Sequence, residues 1–172
     1  NAYLFKASNK GATLLSIAAQ KGQVEVIKEL LQGLSISNEE RKAYLYRADK
    51  YGETPLHCAA HYGHLEVIKE LLQGLSHEER KDYLYMATND GFTPLYSAAC
   101  NGHLEVIKEL LQGLSHKERV TLLHKTNNDK KTPLHIVASS GKVEIIEELL
   151  HGVSAEERVT YLHMVDNEGA TP

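Results

Sequence analysis

Tryptophan is absent from these 172 residues, phenylalanine occurs twice, and tyrosine nine times is the main aromatic. Cysteine is nearly as scarce. Cys58 and Cys100 stand at different places in the internal pattern described below, which argues against a paired framework. They read as small, reduced, half-buried residues. No large excess of charge is present: the net charge of −4 gives no broad pull toward nucleic acid or anionic lipid, so neither is an expected partner. No apolar run approaches the ~18–20 residues of a membrane span, and no signal-peptide pattern opens the chain. An intracellular, cytoplasmic protein is expected. The chain also lacks an initiator Met and stops at Thr171-Pro172, in the middle of a motif, which suggests a piece of a longer protein.

What is present is repetition. The phrase "GHLEVIKELLQGLSH" occurs letter for letter at 63–77 and 102–116. Thr-Pro-Leu begins at Thr54, Thr93 and Thr132, a degenerate Thr-Leu-Leu stands at Thr13, and a further copy starts at Thr171. Arg41, Arg80, Arg119 and Arg158 are 39 residues apart throughout. The first Thr spacing is 41 because two residues are inserted after Gly33, where "LSISNEER" replaces "LSHEER". Full units therefore run at 8–48, 49–87, 88–126 and 127–165. Residues 1–7 ("NAYLFKA") match the end of a unit, and 166–172 begin another.

Each unit has a physical reading. Thr54 is an N-cap whose oxygen can accept a first-turn amide, and Pro55 at the first helical position has no amide to leave unpaired. The Ala-rich "LHCAAHYG" that follows admits a close neighbour and stops at Gly63. "HLEVIKELL" puts Leu65, Ile68, Leu71 and Leu72 on one stripe, with Glu66, Lys69 and Glu70 outside it, and Gly74 ends it. Ser76-x-x-Glu79 is a capping box, recurring at Ser37, Ser115 and Ser154, and should open a short third helix ending near "YLY". Tyr83 and Leu84 should pack on neighbouring repeats, with Lys81 and Asp82 facing water. Thr88-Asn89-Asp90-Gly91 is turn chemistry, the tip of a hairpin-like finger.

The pattern "GETPLHCAAHYGHLEVIKELLQG", with near-copies at 91–113 and 130–152, resembles the ankyrin repeat over essentially the whole chain. The period departs from the family's 33 residues by about six, through the added "SHEERKDYL" segment. Tyr96 replaces the His of "TPLH" in the third unit, Lys130 replaces the turn Gly in the fourth, and the first unit reads "TLLS". The resemblance implies an all-α solenoid of helix pairs, here with a short third helix per repeat and finger turns. It also implies binding of a protein partner on a concave face of fingers and first helices. The same resemblance admits two wider settings, a substrate-recruiting region of a larger enzyme or secreted bacterial effector acting in a host cytoplasm, and a cytosolic domain of a membrane protein.

A catalytic or metal-binding reading finds little support. Eight of the ten histidines fall in columns: His57 and His135, His64 and His103, His77 and His116, His124 and His163. Residues of one column in a stack are roughly 10 Å apart, too far to share a metal ion. His61, beside Tyr62 on the expected concave face, is the exception, as a contact residue. No nucleophile elbow, phosphate-cradling glycine loop or H-E-x-x-H is present. The register of Glu25, Glu66, Glu105 and Glu144 reads as a solvated helix face. Basic residues are spread without the aromatic interleaving of a nucleic-acid platform. No enzyme activity, cofactor, metal or small-molecule substrate is expected.

Comparing internal copies separates scaffold from specificity. The columns that vary are Lys50, Tyr51, Glu53, His61 and Tyr62 in the second unit; Asn89, Asp90, Phe92, Cys100 and Asn101 in the third; and Asn128, Asp129, Lys131, Ser139 and Ser140 in the fourth. These are the expected protein-binding residues, with Tyr51, Tyr62 and Phe92 as aromatic anchors. On this reading Phe92→Ala and Tyr62→Ala weaken binding and leave the melting transition nearly unchanged.

Overall fold

A computed structural model describes residues 8–33 and 36–172. Residues 1–7, with their match to a unit's end, and part of the "LSISNEER" insertion lie outside the described residues. The described residues form twelve α-helices and no β-strand, three helices to each unit. The first helices are α1 (Leu14–Gln20), α4 (Pro55–Tyr62), α7 (Pro94–Asn101) and α10 (Pro133–Ser140); the second are α2 (Val24–Lys28), α5 (Leu65–Leu72), α8 (Leu104–Leu111) and α11 (Val143–Leu150). The third helices are α3 (Asn38–Leu45), α6 (His77–Tyr85), α9 (His116–Leu123) and α12 (Ala155–Leu162). First helices line up side by side through the chain, and so do second helices.

Local chemistry sets these boundaries. The Thr54 side chain accepts from the His57 amide with Pro55 behind it, and Gly63 closes α4 in the left-handed region at φ 76°. In α5, Val67, Ile68, Leu71 and Leu72 are buried, so Val67 joins the expected stripe while Leu65 sits at its half-buried edge. Ala59, Ala60, Ala98 and Ala99 are fully buried, which lets α4 and α7 approach closely. The first unit differs: the chain after Lys28 winds as a five-residue π-helical turn, Glu29–Gly33, just before the insertion. A π turn absorbs extra residue length without breaking the helix.

The third helix belongs to the core. Tyr44, Leu45, Tyr83, Leu84, Leu122, Leu123 and Tyr161 are all buried. The Tyr83 hydroxyl accepts from the Leu56 amide at 3.2 Å, a first-turn donor of α4 with no partner inside its own helix. Tyr44 does the same for Leu15 at 3.1 Å and Tyr161 for Leu134 at 3.3 Å. Leu122 stands in this column in the third unit and brings no hydroxyl. Arg80 donates to the Glu109 carbonyl at 2.7 Å and the Gln112 carbonyl at 3.2 Å, capping the end of α8 in the next repeat. Arg41 caps the end of α5 through the Gln73 carbonyl, at 2.6 Å. Lys81, expected in water, is half-buried in an ion pair with Glu78; Asp82 is exposed.

Candidate functional site: the finger and first-helix face

The fingers are turns closed on themselves and hydrogen-bonded to one another. The Asp49 amide donates to the Glu53 carbonyl at 3.0 Å, and Thr88 and Asn127 repeat the bond with Phe92 and Lys131. The turn position takes positive φ: Gly52 at 81°, Gly91 at 84°, and Lys130 at 61° where the glycine is replaced. The fourth finger thus keeps the turn with a residue that bears the steric penalty of that region. Backbone amides of Lys50, Asn89, Asn128 and Asn167 each reach the tip carbonyl of the preceding finger, at 2.9–3.0 Å. The side-chain amides of Asn89 and Asn128 run alongside, donating to Lys50 and Asn89 carbonyls at 2.9 and 3.0 Å. Asn89 and Asn128 are exposed, yet their amides also hold the finger ladder together.

Fingers and first helices are tied by the "TPLH" histidine. His57 Nδ1 accepts from the Thr54 amide at 3.2 Å, so its Nε2 carries the proton and donates to the Phe92 carbonyl at 3.0 Å. Burial pushes this imidazole down to about 4, partly countered by the bond to Phe92. His135 reaches the Ala170 carbonyl in the same way, at 3.3 Å. Tyr96 occupies the slot in the third unit, buried, with the Phe92 ring stacked on it at 4.9 Å. Phe92 is half-buried by that contact. The two substitutions accompany each other: a larger residue fills the slot and an aromatic finger residue covers it.

A second column clamps neighbouring repeats. His64 Nε2 donates to the Gln20 carbonyl at 3.1 Å and His103 Nε2 to the His61 carbonyl at 3.0 Å, while Lys142 Nζ reaches the Cys100 carbonyl at 3.2 Å. Each ring lies over the glycine that ends the preceding first helix; a Cβ on Gly63 would come within 2.5 Å of His103 Nδ1.

The residues expected to bind cluster most closely between the first two fingers. Tyr51, Glu53, His61 and Tyr62 line a groove of about 370 Å³, joined by Asp49 and Cys58 and, from the first unit, by Ser8, Lys10, Ile17 and Gln20. The first-unit residues were missed by a comparison confined to units two to four. Extending the same columns upstream, to Lys10, Ala12 and Gln20, was the signal that could have found them. Tyr51 is 51% and Tyr62 48% exposed. The Tyr62 hydroxyl accepts from Gln20 Nε2 at 3.2 Å and its ring meets His61 edge-on at 4.7 Å. Lys50 Nζ lies 4.8 Å from the Tyr51 ring centre. Asp49 Oδ1 accepts from the Tyr51 and Glu53 amides at 2.8 and 2.9 Å. Burial holds the half-buried Glu53 carboxyl above its ordinary range, and Asp49 adds to this.

The other candidate residues continue along the stack. Asp90 and Asp129 are exposed at finger tips, and Asn101 is exposed with its amide on the Ser97 carbonyl at 2.9 Å. Lys131 pairs with Asp166 at 3.6 Å. Ser139 and Ser140 return their hydroxyls to their own helix, to the Ile136 and Val137 carbonyls. Cys58 and Cys100 are free and half-buried, and burial raises both thiols, Cys58 to about 12, so neither is poised as a nucleophile.

One histidine does meet carboxylates. His77, Glu78 and Glu118 offer ligand atoms within 4.8 Å of one another, because His77 reaches a glutamate of a different column in the next repeat. Glu118 is already taken up by the Ser115 amide and hydroxyl, at 2.9 and 2.7 Å, and Glu78 by Lys81. The donor set is that of a capping box and an inter-repeat ion pair, repeated by His116 and Glu157 at 2.9 Å.

Ankyrin repeats (3 copies) match residues 15–121, and a further ankyrin repeat matches 129–158. The chain belongs to the ankyrin repeat family. Comparison with curated proteins found no match. Ankyrin repeats are in general protein–protein interaction modules and are typically non-catalytic binding scaffolds. Among the described residues no helix is long and apolar enough to cross a membrane.

Proposed function

We propose that this ankyrin-repeat chain binds a protein partner across the finger and first-helix face, within a larger intracellular protein. The observation that carries the reading is the groove in which Tyr51 and Tyr62, both in varied columns and both exposed, stand together. Large aromatics with water-exposed faces on a rigid scaffold are the usual anchors of an interface. The rest of the face comprises Lys50, Glu53 and His61 around the groove, then Asn89, Asp90, Phe92, Cys100 and Asn101, then Asp129, Lys131, Ser139 and Ser140. Phe92 contributes to the fold as well, through Tyr96. Tyr62→Ala is therefore the cleaner test.

A partner recovered on the wild-type chain should lose about 2 kcal/mol or more of affinity for Tyr62→Ala in titration calorimetry. Its hydrogen-exchange footprint should fall on the fingers and first helices. Unaltered affinity, with the footprint on the outer faces of α5 and α8, would contradict the proposed face.

A further inference from the structure

The innermost finger column is filled, unit by unit, by Ala12, Glu53, Phe92, Lys131 and Ala170. Two of its side chains have a partner inside the chain. Lys131 has Asp166 at 3.6 Å, and Phe92 has the ring of Tyr96 at 4.9 Å. The alanines need none. Glu53 is different: its carboxylate has no ion-pair or hydrogen-bond partner among the described residues, although it is half-buried on the groove wall. A second carboxylate, Asp49, lies beside it and is itself held by two backbone amides. Lys10 lines the same groove and Lys50 lies over the Tyr51 ring, but neither forms an ion pair with Glu53. The aromatic walls are Tyr51 and Tyr62, and Gln20 and His61 hold Tyr62 in place.

A half-buried anion on the wall of a groove that also holds two exposed tyrosines, one of them already under Lys50, is complementary to a cation with an apolar or planar body. A guanidinium fits best: it donates two parallel bonds to one carboxylate, stacks on an aromatic ring, and sheds water more easily than an ammonium. We propose that the groove between the first two fingers receives an arginine side chain of the partner, charge on Glu53 and plane against Tyr62. The inference rests on the finger and first-helix face being the docking face, and sharpens it to one residue type. Because Tyr62 is held before binding, little side-chain entropy is lost there on docking.

A random-peptide library selected on the intact chain tests this. Peptides that compete for the groove should share an arginine. Their affinity should fall ten-fold or more both for the Glu53→Gln variant and when the arginine is replaced by neutral, isosteric citrulline. Combining the two changes should cost little more than either alone. Glu53→Gln should leave the urea midpoint unchanged or raised, since it breaks no hydrogen bond or ion pair and the repulsion of Asp49 that it relieves exceeds the attraction of His61 that it gives up. Peptides that lose affinity for Tyr62→Ala but are indifferent to Glu53→Gln would overturn the arginine assignment and leave the docking face standing. Indifference to both variants, or failure to enrich any groove-binding peptide, would overturn both.

Discussion

Removing the Tyr83 hydroxyl strands the Leu56 amide, a buried first-turn donor of α4. Tyr83→Phe should therefore destabilise the chain by about 1–3 kcal/mol in urea unfolding, with little change in helical content. Two glycines allow a sharper comparison. Gly63 and Gly113 both hold positive φ, but an added Cβ meets the His103 ring at Gly63 and nothing within 4 Å at Gly113. Ala at either position should cost about 1–2 kcal/mol from the backbone alone, and Gly63→Ala clearly more, because the clamp to the next repeat must shift. Protonation adds a third residue-scale test. With His57 pushed down to about 4 from 6.5, its contribution to stability is complete above pH 6.5 and drains as pH falls toward 4, since the unfolded chain takes up the proton first. Glu118 and Glu157, held at about 2 by the bonds from Ser115 and Ser154 and from His77 and His116, act lower, their contribution disappearing between pH 4.5 and 2. The urea midpoint should begin to fall near pH 6.5, and His57→Gln should reduce the slope of the 6.5-to-4 segment, the remainder falling to His124, which burial also lowers, while leaving the lower segment in place.

At the scale of elements, the third helix decides whether this repeat is an ankyrin pair with a decorated loop or a three-helix unit. Its capping box, buried tyrosines and Arg80 cap make it part of the stack. Limited proteolysis should spare 76–86 under conditions that clip the exposed residues 167–171, and Ser76→Ala should lower stability by about 1 kcal/mol and speed that cleavage. The three helices and finger of each unit were legible in the sequence because their signals are local: Thr-Pro, Ser-x-x-Glu and glycine stops all act within one or two turns. The bonds between units were not. Nothing in the spacing of His64, Arg80 or Tyr83 says which carbonyl or amide of another element each one meets. The π-helical turn at Glu29–Gly33 was equally hidden, since the same letters, ELLQG, close the regular second helices of the next two units. His77 stands too far from its own column mates to share an ion with them, yet Glu118 of a different column comes within hydrogen-bond reach of it.

Across the whole molecule, two classes of residue divide the work. Those that recur build the stack: the phrase "GHLEVIKELLQGLSH" contains the clamp histidine, the buried stripe of the second helix and the first cap of the third. Each copy must fit the next, so the sequence is written again. Those that vary fall on fingers and first-helix ends, and several of them, Phe92, Asn89 and Lys131, also serve the fold, which internal comparison alone could not separate. Tyr62 and Gly63 put the two classes side by side in the chain. The most direct test is the affinity of one groove-binding peptide for Tyr62→Ala and Gly63→Ala, each measured at matched fraction folded. A ten-fold or greater loss for Tyr62→Ala, with Gly63→Ala binding nearly as wild type once folded, is the predicted result; equal affinity of the wild-type and Tyr62→Ala chains would contradict it.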